Sequence, residues 1–423
     1  MKKIAFVVVR YGEEINGGAE YHCKMLAERL VDYYQVTVLT TCVKNYATGE
    51  NEYPEGEETI NGVLVHRFKA EPTLNRSELL DSTQKARKAS KLRKNLYKLR
   101  LLAPIAYFLP VWTYREKWEL DEFTGSPLYS PSLVNFIKEH KDDYEVFIPI
   151  TIDHPAVLFT ALHVPEKTIV IPTMHYLRST FRSVMTKVFT KVAYIAFNTH
   201  AEEKLAQRTF GLHMSPHGIV SVGYELSSPA NWENTASKYQ LPAEYLLYVG
   251  RIDRYKLNKI FQYFVEYKQT HKESKLKFVV VGGLFCEPYE HPDILYTGFV
   301  DEHEKRTIIE HAKIVINPSK YESLSLILLE TMALQKPMLV NGHCNVMKEH
   351  CKKSKNAAIA YYNRKDFIKK LHLIDSSEIF RKTMGEKGAK YIKENYNWDL
   401  IMQRLRNSIE FVSTQNHSNS IKK

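Results

Sequence analysis

The stretch Ile314-Val315-Ile316-Asn317-Pro318-Ser319-Lys320-Tyr321-Glu322-Ser323-Leu324-Ser325-Leu326-Ile327-Leu328-Leu329-Glu330 runs from a short β-branched segment through a polar loop into an apolar, helix-length segment. That order is one strand-to-helix step of a parallel α/β sheet. Further strand signals in the same half of the chain lie at 245–249, 278–281 and 338–340, with helical stretches between them. In the other half, residues 3–9 read as a strand, Gly17-Gly18 as a turn, 19–30 as an amphipathic helix and 36–41 as a second strand. Short β-rich runs then follow at 146–150, 168–172 and 194–197. Strand alternating with helix in both halves predicts α/β architecture with two doubly wound, Rossmann-like domains. The polar, proline-containing stretch Ser227-Ser228-Pro229-Ala230-Asn231 marks the division. The expected domains are 1–226, with a basic insertion at about 82–115, then 227–396, then a C-terminal helix and polar tail at 397–423.

A chain of 423 residues is long enough for two or three domains, and 44% hydrophobic with 25% charged residues is ordinary for a globular protein. No run of about 18 apolar residues occurs, and Met1-Lys2-Lys3 leads straight into a buried-strand pattern, so neither a membrane span nor a signal peptide is expected. The five cysteines, Cys23, Cys42, Cys286, Cys344 and Cys351, include no C-x-x-C pair, which predicts neither disulfides nor zinc and points to the cytoplasm. Lys and Arg number 59 against 48 Asp and Glu, a net charge of +11 that favours an anionic partner.

Within the opening stretch, Glu322 and Glu330 are eight positions apart. Read as helix, this places them on roughly one face about 12 Å apart, so that one acid meets a sugar and the other a nucleoside. The start of that helix, at Ser323, Leu324 and Ser325, offers unpaired N–H groups and a positive dipole end suited to a diphosphate. An ordinary amphipathic helix with a capping serine and a solvated glutamate fits the same residues. A second segment, Tyr248-Val249-Gly250-Arg251-Ile252-Asp253-Arg254-Tyr255-Lys256, places a glycine and cations directly after a strand, where ligands of parallel sheets bind. Arg251 is suited to grip phosphate oxygens bidentately, and Lys256 to add a point charge as a leaving diphosphate gains charge. A solvated basic loop is the alternative for this segment alone.

Taken together these residues resemble the family 4 glycosyltransferases, retaining nucleotide-sugar-dependent enzymes of GT-B fold, with two Rossmann-like domains and a cleft between them. The likeness spans nearly the whole chain. Gly250, Arg251 and Lys256 match the family's G-R-x-x-x-x-K pattern, and Glu322 with Glu330 its paired glutamates. Gly17-Gly18-Ala19-Glu20 matches its glycine loop, and His175, in Ile171-Pro172-Thr173-Met174-His175, its histidine after a strand. Residues 318–340 look like the subgroup that builds bacterial surface polysaccharides. The resemblance implies that Arg251 and Lys256 hold the donor diphosphate, that Glu330 holds the ribose and that Glu322 contacts the donor sugar. It also implies that His175 lies near the reacting sugar and that Gly17 and Gly18 admit close backbone approach. Leu257 and Tyr176 depart from the pattern, where a glycine and an acid are common. Family members need no metal and no cofactor beyond the nucleotide-sugar substrate, and this sequence contains no Asp-x-Asp pair.

From Lys85 to Arg100, eight cations accompany Ala86, Ala89, Leu92, Leu96 and Leu99 at helical spacing, and no acid occurs from Ser82 to Arg115. Two readings stay open: a basic amphipathic helix on an anionic membrane surface, at the inner face of the plasma membrane, or a solvated helix packed on the first domain. Nucleic acid is not the expected partner, because no recognised module accompanies the patch. His154 reads as structural, the His343, Cys344, His350 and Cys351 group as core or loop, and Trp398 as packing. The expected activity is sugar transfer from a nucleotide diphosphate donor to a lipid-linked glycan. A GT-B-like epimerase, a phosphorylase or a non-catalytic nucleotide-sugar-binding subunit are the alternatives. A dinucleotide oxidoreductase is disfavoured by the lack of Gly-x-Gly-x-x-Gly.

Overall fold

The computed structural model describes residues 1–15, 17–46, 48–257 and 259–420. The end of the expected polar tail, 421–423, lies outside the described residues. The chain forms two compact units. It passes from the first to the second at Val222/Gly223 and returns after Trp398, so that the residues from Asp399 onward, expected as a separate tail, belong to the first unit.

The first unit carries strands β1 (Lys3–Val7), β2 (Gln35–Thr41), β3 (Gly56–Ile60), β4 (Val63–Phe68), β5 (Val146–Pro149), β6 (Ile169–Val170), β7 (Tyr194–Phe197) and β8 (His217–Ile219). Five are ordered β3-β4-β2-β1-β5, and single parallel bridges, Phe147 to Thr168 and Ile150 to Ile171, continue the sheet into β6-β7-β8. All pairs are parallel except the β3–β4 hairpin. Its turn, Asn61 (φ 50°) and Gly62 (φ 81°), has the two left-handed residues of a tight hairpin. Val7, Leu39 and Phe147 face Leu133 and Ile137 in one core, while Val170, Ile195 and Phe197 face Phe189 and Phe210 in another.

The basic segment begins earlier than its periodicity suggests. Asn75 caps a helix over Arg76–Lys98, accepting from the backbone of Ser77 and Glu78, and Glu78 closes the capping box. Its buried face is Ser82, Ala86, Ala89, Ser90, Arg93 and Tyr97. The expected apolar stripe is therefore only partly inward: Ala86 and Ala89 are buried, but Leu92 and Leu99 are 44% and 67% exposed, and Arg93 points into the core. The displaced apolar surface continues through the helix Leu102–Phe108, where Leu101, Tyr107, Phe108, Leu109 and Val111 are all exposed.

The last helix, Trp398–Ser420, is anchored on the first unit from Asp399. Glu410 accepts from Lys2 (3.0 Å) and the Tyr34 hydroxyl (3.3 Å), and Phe411 packs edge-on against Tyr194.

The second unit holds β9 (Tyr245–Val249), β10 (Lys277–Val281), β11 (Ile294–Gly298), β12 (Ile314–Asn317), β13 (Met338–Asn341) and β14 (Ala358–Tyr361), all parallel, in the order β11-β10-β9-β12-β13-β14. Relabelled from its own first strand this is the 3-2-1-4-5-6 order of a dinucleotide-type Rossmann sheet. The strand order reverses between β9 and β12. The loops after those two strands are the two segments that carry the candidate donor residues.

Candidate active site

In the second unit the loop after β9 leaves the sheet through Gly250, whose φ of 146° disfavours any side chain. The neighbouring loop after β10 presses against it, since a Cβ on Gly282 would stand 2.1 Å from the Gly250 carbonyl oxygen. Arg251 follows with 60% of its side chain exposed, and its Nε donates to Asp253 Oδ2 at 2.6 Å. The other oxygen of Asp253 accepts the Lys256 backbone N–H (2.8 Å), capping the short turn of helix that carries Lys256. From there Lys256 Nζ reaches the loop after β12 and donates to Glu322 Oε1 at 2.6 Å. Two residues far apart in sequence thus meet at the point where strand order reverses.

The expected helical relation between Glu322 and Glu330 does not hold. Glu322 lies in the loop, and the helix spans only Leu326–Ala333. It starts late because Ser325 adopts φ 77°, a left-handed conformation that costs a non-glycine residue about 1 kcal/mol or more. Ser323, Leu324 and Ser325 are accordingly loop residues before the first turn, and Ser325 makes no side-chain cap. Three polar residues fix this loop from outside it. Asn317 donates to Ser325 Oγ (3.1 Å), Asn341 to the Pro318 carbonyl (2.8 Å), and His350 Nε2 to the Leu324 carbonyl (3.0 Å). With Nε2 donating, Nδ1 of His350 accepts from the Tyr391 hydroxyl (3.1 Å), and burial holds the imidazole neutral with a pKa lowered to about 4.

Glu330 sits on the helix beyond, its side chain 12% exposed, 3.2 Å from the ammonium of Lys305, which also contacts Glu302 at 2.6 Å. Burial pushes the Glu330 carboxyl above its ordinary range while Lys305 pulls it back. Burial likewise opposes the Lys305 charge, but Glu330 and Glu302 outweigh it.

Residues 243–374 match the model of a family described as glycosyl transferases group 1. This stretch is a group 1 glycosyltransferase domain. A glycosyltransferase of Methanocaldococcus jannaschii is 24% identical over 429 residues, covering 96% of this chain and 97% of its own. Sucrose-phosphate synthase from Thermosynechococcus elongatus superposes with a TM-score of 0.65 at 13% identity, over 96% of this chain and 98% of its own. HepE of Anabaena, in complex with UDP and glucose, gives 0.66 at 11% identity over 97% and 100%. At such identities the likeness is one of fold, and the fold of this glycosyltransferase is GT-B.

Within the glycosyltransferase domain, sequence reasoning missed Asp253, Gly282, Lys305, Asn317 and Asn341, while His350, read as core or loop, is buried and also ties down the site loop. Asp253 stood in the quoted motif, and the Asn residues end strands, a position where a side-chain amide ties down a following loop. Lys305 sits on a helix between the two motif segments and carries no local signal.

The first unit of the enzyme presents its own constellation. Gly17 precedes the helix Gly18–Leu30, and a Cβ there would stand 2.2 Å from Glu20 Oε2. Its close approach is thus to a buried ion pair, for Arg10 contacts Glu20 at 2.8 Å with both side chains less than 10% exposed. Gly18 has no such neighbour. His175, half-buried, follows Thr173 (φ 44°) and Met174, whose N–H is accepted by the buried carboxylate of Glu202. The other oxygen of Glu202 accepts from Asn198 (2.7 Å), and burial raises its pKa to about 8. Glu202 therefore fixes the loop of His175 to the end of β7. Tyr176 packs between Tyr97 and Phe181, under the Lys94 ammonium. Among the described residues no group of three or more His, Cys, Asp or Glu side chains is placed to hold a metal ion, and no helix is long and apolar enough to cross a membrane.

Proposed function

We propose that this glycosyltransferase moves a sugar, with retention at its anomeric carbon, from a uridine diphosphate donor to a lipid-linked glycan in polysaccharide biosynthesis. The observation that carries the reading is the meeting of Lys256 and Glu322 at the switch point of the second sheet, with Arg251 tied through Asp253 to the loop of Lys256 and Glu330 on the helix that follows. Two cations suit a diphosphate, one carboxylate a sugar hydroxyl, and a second the paired hydroxyls of a ribose. The choice of uridine follows HepE, whose structures hold UDP and UDP-glucose. The polysaccharide role rests on the resemblance of residues 318–340 to enzymes of that subgroup.

In this reading the bond from the anomeric carbon to the diphosphate breaks as the acceptor oxygen bonds to the same face. The acceptor proton passes to the departing phosphate oxygen. Arg251 and Lys256 stabilise the negative charge that gathers there, and Gly250 with the 323–325 loop brings backbone close to it. His175 borders the reacting sugar. Cationic side chains supply the charge that a metal would otherwise provide, so the proposed reaction needs no metal.

An acceptor held in lipid requires the enzyme at a membrane. The exposed apolar residues Leu99, Leu101, Phe108 and Leu109, among the exposed cations Lys91, Lys98 and Arg100, are suited to an anionic leaflet at the cytoplasmic face. Calorimetry of the purified enzyme in EDTA, against the diphosphates of uridine, guanosine, cytidine and deoxythymidine and their sugars, tests the donor. Selective uridine binding lost in Glu330→Ala supports the reading, and no binding by any nucleotide overturns it. Retention is read from the anomeric configuration of the product by NMR.

A further inference from the structure

Strands β2, β1 and β5 are adjacent in the first sheet, and the chain crosses from β2 on one side of β1 to β5 on the other. The crevice past their carboxyl ends is therefore a switch point, the place where parallel sheets receive ligands. Arg10 follows β1, Tyr46 follows β2, and His154 with Asp153 follows β5. The side chains converge. The Arg10 guanidinium lies 3.5 Å from the centre of the Tyr46 ring, the Tyr46 hydroxyl donates to Glu20, and His154 Nε2 stands 3.3 Å from the same hydroxyl. Because Tyr46 gives its proton to Glu20, its oxygen accepts from His154, which fixes the imidazole as the Nε2–H tautomer. Burial, the largest influence on His154, holds that ring neutral.

Three groups thus clamp the edge and one face of Tyr46, yet the residue keeps 37% of its surface exposed. A tyrosine merely filling a core would not be held this way and left open. The charges around it are equally specific. Arg10 is committed to Glu20 and to the Lys44 carbonyl, and Lys44 is paired with Glu14. Asp153 is exposed and makes no hydrogen bond or ion pair among the described residues. The cations here are engaged and a carboxylate is not.

We propose that Tyr46, held by Arg10, Glu20 and His154, is the platform on which an uncharged sugar ring of the acceptor lies, with Asp153 accepting from its hydroxyls. An aromatic face meets the apolar C–H face of a pyranose, and a carboxylate accepts from vicinal hydroxyls. A sugar phosphate would bring its charge to a place where the described cations, Arg10 and Lys44, are already engaged and the carboxylate of Asp153 is not. The assignment of the ring as acceptor rests on the transfer reaction proposed above, whereas the binding of a neutral sugar does not.

Saturation-transfer NMR on the full chain tests this with methyl glucopyranosides, galactopyranosides and mannopyranosides of both anomers, and with glucose 6-phosphate. UDP binding is followed in parallel by calorimetry. At least one methyl glycoside should give a signal that falls fivefold or more in Tyr46→Ala and persists in Tyr46→Phe, which keeps the ring. Glucose 6-phosphate should give at least a tenfold weaker signal, and UDP affinity should be unchanged in Tyr46→Ala. Equal glycoside signals in Tyr46→Ala, a stronger signal from glucose 6-phosphate, or no glycoside signal from the unaltered chain would each overturn the platform. Glycoside binding without any UDP binding would leave the platform standing and remove the donor assignment instead.

Discussion

Lys256 and Glu322, 66 positions apart, share a 2.6 Å hydrogen bond that ties the loop after β9 to the loop after β12. The ammonium and carboxylate neutralise each other, while the exposed guanidinium of Arg251 in the same loop is paired with Asp253. A donor that presents both a diphosphate and a sugar hydroxyl offers each partner a replacement, so the pair is separable at small electrostatic cost. It also holds both loops in register beforehand.

Removing either cation should therefore act on the reaction more than on the fold. Arg251→Ala or Lys256→Ala is expected to lower turnover of UDP-glucose by about 100-fold or more, the usual scale for losing one electrostatic donor. Stability should change by no more than about 1 kcal/mol, because both side chains are partly exposed. Measured release of UDP, set beside thermal melting, separates the two effects. Near-normal turnover in both variants would contradict the assignment.

In the proposed reading, Lys305 acts on the nucleoside through Glu330, which it contacts at 3.2 Å. Its ammonium opposes the burial that raises the Glu330 carboxyl, so Lys305→Met should raise that pKa further. If Glu330 holds the ribose as proposed, binding uses the ionised carboxylate, present above the pKa and lost as pH falls through it. UDP affinity of Lys305→Met should accordingly begin to fall at a higher pH than that of the unaltered enzyme. Calorimetric titration with UDP from pH 8 to 5 reads the shift, and coincident pH profiles would show that Lys305 does not tune Glu330.

The strand-helix alternation was legible because buried parallel strands are continuous apolar runs. Residues 245–249 and 194–197 were delimited to the residue. The β3–β4 hairpin was overlooked despite its Asn61-Gly62 turn, because β3 reads Gly-Glu-Glu-Thr-Ile, with no apolar face to bury. The motif residues Arg251, Lys256 and Glu322 were readable as a set, but not the loop between Glu322 and Glu330. A serine at φ 77° looks like any serine in sequence, and only Asn317 and His350, placed by the fold, explain how it is held. In the basic segment, helical spacing identified a helix but not its inward face. The buried Arg93 turned that face away from Leu92 and Leu99.

Two buried histidines should make the enzyme acid-sensitive. His22 and His350 each have a pKa lowered to about 4, chiefly by burial, against about 6.5 when unfolded. Between these values the unfolded chain binds a proton that the folded chain does not, so stability rises with pH and is lost as pH falls from 6.5 towards 4. Each histidine contributes about 1.4 kcal/mol per pH unit in that window. Melting temperatures from pH 7.5 to 4.5 should drop accordingly, with a shallower slope in His350→Gln. An unchanged slope would mean that His350 does not supply it.

Gly17 is constrained by packing and not by φ, which is extended at 175°. In Gly17→Ala the new methyl would meet Glu20 Oε2, and the buried Arg10–Glu20 pair must shift to admit it. Overpacking of this kind costs about 1–3 kcal/mol. The displacement should also loosen Tyr46, whose hydroxyl leans on Glu20. Gly18→Ala, with open space at its Cβ, should leave stability within about 0.5 kcal/mol of the unaltered chain. Equal denaturant midpoints for the two variants would refute this distinction.

The proposed membrane attachment would divide into two separable contributions. The exposed cations Arg87, Lys88, Lys91, Lys98 and Arg100 supply long-range attraction that salt screens, with each charge near an anionic leaflet worth about 1 kcal/mol at most. Phe108, 76% exposed and followed by the exposed Leu109, would supply apolar insertion that salt does not screen. Replacing the five cations by Gln should therefore weaken binding to vesicles of 30% phosphatidylglycerol by at least about 100-fold at low salt and much less at high salt. Phe108→Ser should weaken it by a smaller factor that is independent of salt. Release of UDP from UDP-glucose without vesicles should persist in both variants, because these residues lie in the first unit and the donor residues in the second. Flotation at two salt concentrations resolves the contributions. Binding that ignores both the cations and Phe108 would show that this face does not meet the membrane.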